Sequence, residues 1–245
     1  MIPGGQVMNK PENYIFGKFI REEKNRFLCT IEIDGSETLC YIASSCRLTN
    51  FINLNGKTVM LVPTRGPKAK KEYAVFAVKF KRSFILLNTS MANYAVANSM
   101  HSKKLSCFGK RETVLREHTV GGYKADFYIP DSKTIVEVKS VIATSDDAIF
   151  QTVFSERTVR QLSTIKQLLK LGYTAHFVIV ALNPYVKRIS LLPNSPIYCA
   201  LESCISCGLK LEAFTCRLGQ DGVPYLDKCI PIVFPDASEQ PAKNE

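Results

Sequence analysis

The chain has 245 residues and is 46% hydrophobic, enough to bury one large core or two small ones, which excludes a disordered or fibrous protein. Lys and Arg number 32 against 22 Asp and Glu, a net charge of +10 that favours a polyanionic partner such as nucleic acid. Nine cysteines are an odd number, and Met1 to Tyr14 lack a basic stretch leading into an apolar one, so a reduced, cytoplasmic chain is expected rather than a secreted one.

The first part of the chain is patterned as β-structure. Tyr14 to Arg21, Phe27 to Ile33 and Thr38 to Ala43 are rich in β-branched and aromatic residues, and Asp34-Gly35 predicts a tight hairpin between the second and third. Lys57 to Val62, Tyr73 to Phe80 and Phe84 to Leu87 continue the series, which suits a small barrel of the OB type. Up to Leu87 there are 14 basic and 7 acidic residues, against 18 and 15 after it. Most of the charge excess therefore belongs to the shorter part. It gathers in Arg65, Lys68, Lys70, Lys71, Lys79, Lys81 and Arg82, a basic arm on a strand pair that predicts phosphate contact. The alternative is a solvated loop at Lys68 to Lys71, beside Gly66-Pro67, kept soluble by its charges.

From Asn88 onward the pattern becomes mixed. Thr89 or Ser90 can cap a helix to about Asn98, and strands are predicted at Val114 to Val120, Tyr123 to Ile129 and Thr134 to Val141. Ser155 and Glu156 open an amphipathic helix to Lys170 with Thr158, Leu162, Ile165 and Leu169 on one face. The apolar strand Thr174 to Leu182 follows, making a β-α-β unit with parallel strands. Its apolar core, Phe177 to Leu182, is far shorter than the ~20 residues needed to cross a bilayer, so no membrane role is expected. A second helix starts at Asn194-Ser195-Pro196 and stops at Gly208, before strands at Lys210 to Cys216 and Ile230 to Phe234. Residues 235–245 read as a polar, disordered tail.

The chemistry concentrates in the stretch from Tyr123 to Lys139. A hairpin centred on Asp131-Ser132 pairs positions that sum to 263, so Asp126 faces Glu137 with Cβ atoms roughly 5 Å apart. Lys139 falls on the same face, about 7 Å along the strand. Like charges opposed on a sheet need a cation, and two carboxylates with open coordination positions suit Mg²⁺ or Mn²⁺. Lys139 can orient or help deprotonate a water and offset charge on a phosphorus under attack, which together describes metal-assisted phosphodiester hydrolysis. The bland alternative is a solvated face on which Lys139 neutralises Glu137. Ile135 and Val141 on that face, with Val136 and Val138 on the other, argue instead for a strand covered on both sides.

Ala125-Asp126-Phe127, Val136 to Val141 and Ser155-Glu156-Arg157 through Leu162 resemble the sugar fermentation stimulation protein A family. The likeness extends to Gly17-Lys-Phe-Ile-Arg-Glu-Glu-Lys, to Asn88-Thr89 with Asn93, and to Ala213-Phe-Thr-Cys216. The resemblance implies an α/β (α+β) chain with a small N-terminal OB-like β-barrel over residues 1–87 and a mixed-sheet PD-(D/E)XK nuclease-like domain over 88–234. It also implies DNA binding, with Asp126, Glu137 and Lys139 in the positions of that superfamily's catalytic acidic residues and lysine. Three departures stand out: Asn98 where the first helix is expected to be acidic, Thr152 where an Asp is usual, and Ala43-Ser-Ser-Cys46-Arg47 in place of a Cys-Pro-Asn-Thr-Gly-like segment. The first two remove metal ligands, so a degenerate site that only binds nucleic acid stays open as the alternative, as does RNA in place of DNA.

Other motifs carry less. Cys204-Ile-Ser-Cys207 has metal or redox spacing, but without a second pair or a nearby His it reads as buried small residues near a helix end. His101, His118 and His176 have no ligand spacing, and His176 reads as structural. Gly4-Gly5 and Gly121-Gly122 match no phosphate loop, so no nucleotide triphosphate is expected. Asp146-Asp147 read as a turn or helix-start feature.

Overall fold

In the computed structural model, residues 14–43, 47–64, 70–150 and 155–234 are described. Strands β1 (Ile15–Glu22), β2 (Leu28–Ile33), β3 (Ser36–Ile42), β4 (Thr58–Pro63), β5 (Tyr73–Phe80) and β6 (Ser83–Leu86) fall close to their predicted segments. Asp34 and Gly35 both have positive φ, 49° and 79°, the geometry whose twist matches the flanking strands, so Ile33 pairs with Ser36. The strand order is β3-β2-β1-β4-β5-β6. Tyr41 and Ile42 also pair in parallel with Ala74 and Val75, which joins β3 to β5 and closes five strands into the expected OB-like barrel. Closure leaves no open edge among those five strands.

The helix α1 (Met91–Asn98) follows. Its entry is fixed by Asn88, whose Oδ1 accepts hydrogen bonds from the Ser90 backbone N–H and hydroxyl, rather than by a Ser90 cap. Then come β7 (Leu115–Val120), β8 (Tyr123–Ile129), β9 (Thr134–Val141), β10 (Asp147–Phe150), α2 (Glu156–Lys170), β11 (Thr174–Ala181), β12 (Arg188–Leu191), α3 (Pro196–Ile205), β13 (Lys210–Leu218), β14 (Pro224–Cys229) and β15 (Ile232–Val233). The central sheet has the order β14-β13-β11-β9-β8-β7. Strands β9, β11 and β13 are parallel and the outer pairs antiparallel, a mixed sheet as expected. The predicted strand at Ile230 to Phe234 is reduced to the two residues of β15, which join β12 and β10 in a small parallel sheet.

Alternation along the central strands divides the interior in two. Ile135, Phe177, Ile179 and Ala213 turn toward α2 and α3 and meet Leu162, Ile165, Leu168, Ile197 and Leu201. Leu168 is the buried residue of the last helical step, where the sequence pointed to Leu169. Val136, Val138, Val178, Val180 and Phe214 turn the other way, onto α1 and the barrel interior. The backbone reinforces that join: the Leu86 N–H donates to Leu182 O at 2.9 Å, and the Tyr14 hydroxyl donates to Gly222 O at 2.7 Å. No helix among the described residues is long and apolar enough to cross a membrane.

Candidate functional site

The β8–β9 hairpin has the predicted register. Phe127 pairs with Val136, Tyr128 with Ile135 and Ile129 with Thr134, around a 3₁₀ turn at Pro130–Ser132 followed by Lys133 in the left-handed region. The ladder stops at Phe127 and Val136. Where it stops, Asp126 fills the gap: its Oδ2 accepts from the Val138 backbone N–H at 2.8 Å, and its Oδ1 accepts from Asn93 Nδ2 of α1 at 2.9 Å. Burial, then the charge of Glu137, pushes the Asp126 carboxyl up to about 6, against the opposing pull of Val138, Lys139 and Asn93.

Glu137 projects to the α2 side and is 2% exposed. Its Oε1 accepts from Lys139 Nζ at 2.6 Å and from Gln161 Nε2 at 2.8 Å, and its Oε2 accepts from the Tyr123 hydroxyl. Lys139 Nζ also donates to Gln161 Oε1 at 2.8 Å. Period-two alternation thus puts Glu137 and Lys139 in contact, and Gln161 on α2 joins both. Burial, followed by the negative charge of Glu137, pushes the Tyr123 phenol far above its ordinary range, so it stays a hydrogen-bond donor.

The structure therefore brings Asp126, Glu137 and Lys139 together. It adds Tyr123, Gln161 and Asn93, which sequence reasoning missed; a partly buried Gln beside the apolar stripe of an amphipathic helix was the available signal. Asn98 is not the helix residue that meets this group. Its Nδ2 donates to Pro224 O at 3.0 Å, and Asn93, more than one helical turn earlier, takes the position against Asp126. Thr152 lies outside the described residues. Asp146 and Asp147 are held below the usual carboxylate range, the first by Lys187 and the second by Ser190 and then Arg188, and they fasten β10 to β12.

The basic arm is divided by the fold. Arg65 and Lys68 lie outside the described residues. Lys70 and Lys71 end the loop between β4 and β5, at whose base the Thr64 N–H donates to Glu72 O. Lys79, Lys81 and Arg82 lie at the far end of β5, roughly 26 Å away at about 3.3 Å per residue. There the Lys81 ammonium sits over the rings of Phe80 and Tyr185, and the Arg82 N–H donates to the Tyr185 hydroxyl, so these residues stand at the junction with the mixed sheet. Lys70 and Lys71 have different neighbours. The β3–β5 pairing puts their loop beside Tyr41, which stacks on Phe27 with ring centroids 6.4 Å apart, and the Arg26 guanidinium lies 4.8 Å above Phe27. Both rings are exposed.

His176 is buried and bonded through Nδ1 to Glu212. Cys204 is buried with its thiol on Leu162 O, while Cys207 follows the end of α3.

A closed five-stranded OB-like barrel followed by a mixed-sheet domain with clustered acidic groups defines a two-part α/β protein. Residues 22–87 match the model of the SfsA N-terminal OB domain, and residues 90–222 match that of the sugar fermentation stimulation protein RE domain. The chain belongs to the sugar fermentation stimulation protein family. It is 30% identical to the homolog of Caldanaerobacter subterraneus subsp. tengcongensis, over 84% of this chain and 92% of that one. With the homolog of Desulfitobacterium hafniense strain DCB-2 the identity is 24%, over 84% and 91%. The structure of Pyrococcus furiosus SfsA in complex with Ca²⁺ has the same fold, with a TM-score of 0.77 and 18% identity over 94% of this chain and all of that one.

Proposed function

We propose that the chain binds nucleic acid, DNA first, largely without sequence preference, and hydrolyses phosphodiester bonds at Asp126, Glu137 and Lys139 with a divalent metal, Mg²⁺ or Mn²⁺. On this reading the barrel over residues 1–87 tracks the strand and residues 88–234 carry the chemistry. The observation that carries it is a buried carboxylate, Glu137, and a half-buried one, Asp126, together short of positive charge, with Asp126 pushed up to about 6 by burial and then by Glu137, beside one lysine. The donor set fits a hard divalent cation, since Asp126 and Glu137 offer only carboxylate oxygens. Bound there, such an ion would polarise a phosphate oxygen and lower the pKa of a water.

The chain's own groups have separable parts in this reading. Glu137 and Gln161 hold the Lys139 ammonium in place, and Lys139 offsets the charge that builds on a phosphate under attack. Tyr123 keeps its proton and fixes Glu137, while Asn93 and the Val138 N–H fix Asp126. Support for the binding half comes from the barrel, where Phe27 and Tyr41 lie exposed beside the basic loop between β4 and β5, the loops and strands by which OB-folds take oligonucleotides.

A second reading, a non-catalytic nucleic-acid-binding protein with a degenerate site, is favoured by the amide of Asn93, the α1 residue that meets Asp126, and by the full engagement of Glu137 with Lys139, Gln161 and Tyr123. One assay separates the two. Single-stranded and duplex DNA and RNA are incubated with the purified chain in Mg²⁺, in Mn²⁺ and in chelator. Metal-dependent cleavage that Lys139→Ala abolishes while affinity is kept supports the nuclease. Binding without cleavage in any metal supports the second reading, and cleavage that survives the substitution overturns the role of Lys139.

A further inference from the structure

On the face of the central sheet opposite Glu137 and Lys139, three potential ligands arrive from three separate elements. His176 of β11 is 1% exposed, and the Phe108 ring meets it edge-on with centroids 4.7 Å apart. Its Nδ1 lies 2.7 Å from Glu212 Oε1 on β13. Register explains the approach: His176 pairs with Lys210, and Glu212, two residues on, returns to the same face. Cys107 comes from the 3₁₀ segment Lys103–Phe108 that lies over this end of the sheet. One donor atom from each of Cys107, His176 and Glu212 lies within 4.8 Å of the other two.

The contacts of Glu212 with His176 and with the Cys107 thiol still leave this cluster incomplete. His176 Nε2 and Glu212 Oε2 are both buried, and neither has a hydrogen-bond partner. An unsatisfied buried polar atom costs about 1–3 kcal/mol, so two in one cluster mark a missing partner.

We propose that Cys107, His176 and Glu212 form a binding site for a borderline-soft divalent cation of the zinc type, with a fourth position left to water. The donor set of one sulfur, one imidazole nitrogen and one carboxylate oxygen suits zinc and disfavours Mg²⁺ and Ca²⁺, which take oxygens. Bonds of roughly 2.0–2.3 Å in a tetrahedral site put ligand atoms about 3.3–3.8 Å apart. No separation therefore has to close by more than roughly 1–1.5 Å, and the 2.7 Å contact of His176 Nδ1 with Glu212 Oε1 opens where those two atoms are the ligands. The exposed Cys107, on a short 3₁₀ segment, has the freedom to make that move. Binding takes a neutral ring nitrogen of His176, the Glu212 carboxylate and the Cys107 thiolate, and the thiol proton passes to solvent. An ion held there would pin the segment Lys103–Phe108 to the starts of β11 and β13.

The full chain, stripped with chelator and kept reduced, is titrated with Co²⁺ as a spectroscopic stand-in for Zn²⁺. One equivalent should produce a thiolate-to-cobalt charge-transfer band and the visible bands of a four-coordinate ion, and Zn²⁺ should displace it while excess Mg²⁺ does not. Cys107→Ser, at an exposed position, should abolish the charge-transfer band. It should also weaken binding by more than the roughly 10–100-fold that loss of an outer-shell partner costs. Glu212→Gln should weaken it as well, and Asp126→Asn with Glu137→Gln should leave the band unchanged. The proposal is overturned if the native chain gives no band, if the band survives Cys107→Ser, or if Cys204→Ser or Cys207→Ser removes it instead.

Discussion

Replacing Asp126 by Asn should make the protein more stable at neutral and alkaline pH, and only there. The Asp126 carboxyl has its pKa raised from 3.8 to about 6 by burial and by Glu137. A carboxyl whose folded-state pKa is raised contributes fully to stability below its unfolded value, near pH 3.8, and that contribution is lost as pH climbs through about 6. At ~1.36 kcal/mol per pH unit the ionised group then costs the fold about 3 kcal/mol. Asn at this position keeps an acceptor for the Val138 N–H and carries no charge, but its amide meets the Asn93 amide, which must turn over to accept. That rearrangement takes about 1 kcal/mol, leaving a gain of about 1–2 kcal/mol at pH 8. Urea denaturation of both proteins at pH intervals from 4 to 8 reads the difference directly. It should favour the native chain by about 1 kcal/mol at pH 4, cross over on the way to about 6, and level above it in favour of the variant. An Asn variant no more stable than the native chain at pH 8, or a difference that does not change with pH, would refute the reasoning. On the proposed function Mn²⁺ should narrow the gap, since the ion stabilises only the protein that can bind it.

Three further outcomes test other parts of the structure. Lys70→Ala with Lys71→Ala should reduce the dependence of log affinity on log salt by roughly 1–2, and an unchanged slope in fluorescence anisotropy would remove the loop from the interface. Phe27→Ala should weaken binding to a single-stranded oligonucleotide by about 1–3 kcal/mol with little change in salt slope, since stacking releases no counterions; a slope change without loss of affinity would contradict it. Gly121→Ala should lower the melting temperature, because φ is +54° and the added Cβ would lie 2.7 Å from Leu168 Cδ2. The cost is about 1–3 kcal/mol, and an unshifted melt would show that α2 yields freely there.

The parts of the fold that were legible in the sequence are those fixed by neighbours along the chain. Pro130-Asp-Ser set the hairpin register of Phe127 to Ile129 against Thr134 to Val136, but the ladder stops one pair short of the expected opposition of Asp126 and Glu137, whereas the contact of Lys139 with Glu137 could be read from alternation. Strands β10 and β12 were missed, and the strand expected at Ile230 to Phe234 shrank to β15, because these strands have only 4, 4 and 2 residues and are held by pairings to one another rather than by a periodic pattern. Asp147 resembled a turn residue for the same reason, although it fastens β10 to β12. Gln161 lies at the border of the α2 stripe, where the helical pattern alone does not say whether a polar group meets a strand. The Cys107, His176 and Glu212 cluster has no linear spacing to find, since only parallel pairing brings β11 and β13 together. The basic run misled in the opposite sense: β5 passes through it, and adjacency in sequence became separation in space.

The merging of the barrel interior with one face of the mixed sheet has a consequence for how the molecule comes apart. Phe19, Val59 and Ile85 share one continuous apolar cluster with Val178, Phe214 and Leu226, and the Leu86 to Leu182 hydrogen bond crosses the same seam. Neither half can open without wetting the other's apolar side. Amide protons of β1 to β6 and of β11 and β13 should therefore exchange with similar protection and lose it in a single transition, so a fragment ending at Leu87 would be unable to hold the barrel closed.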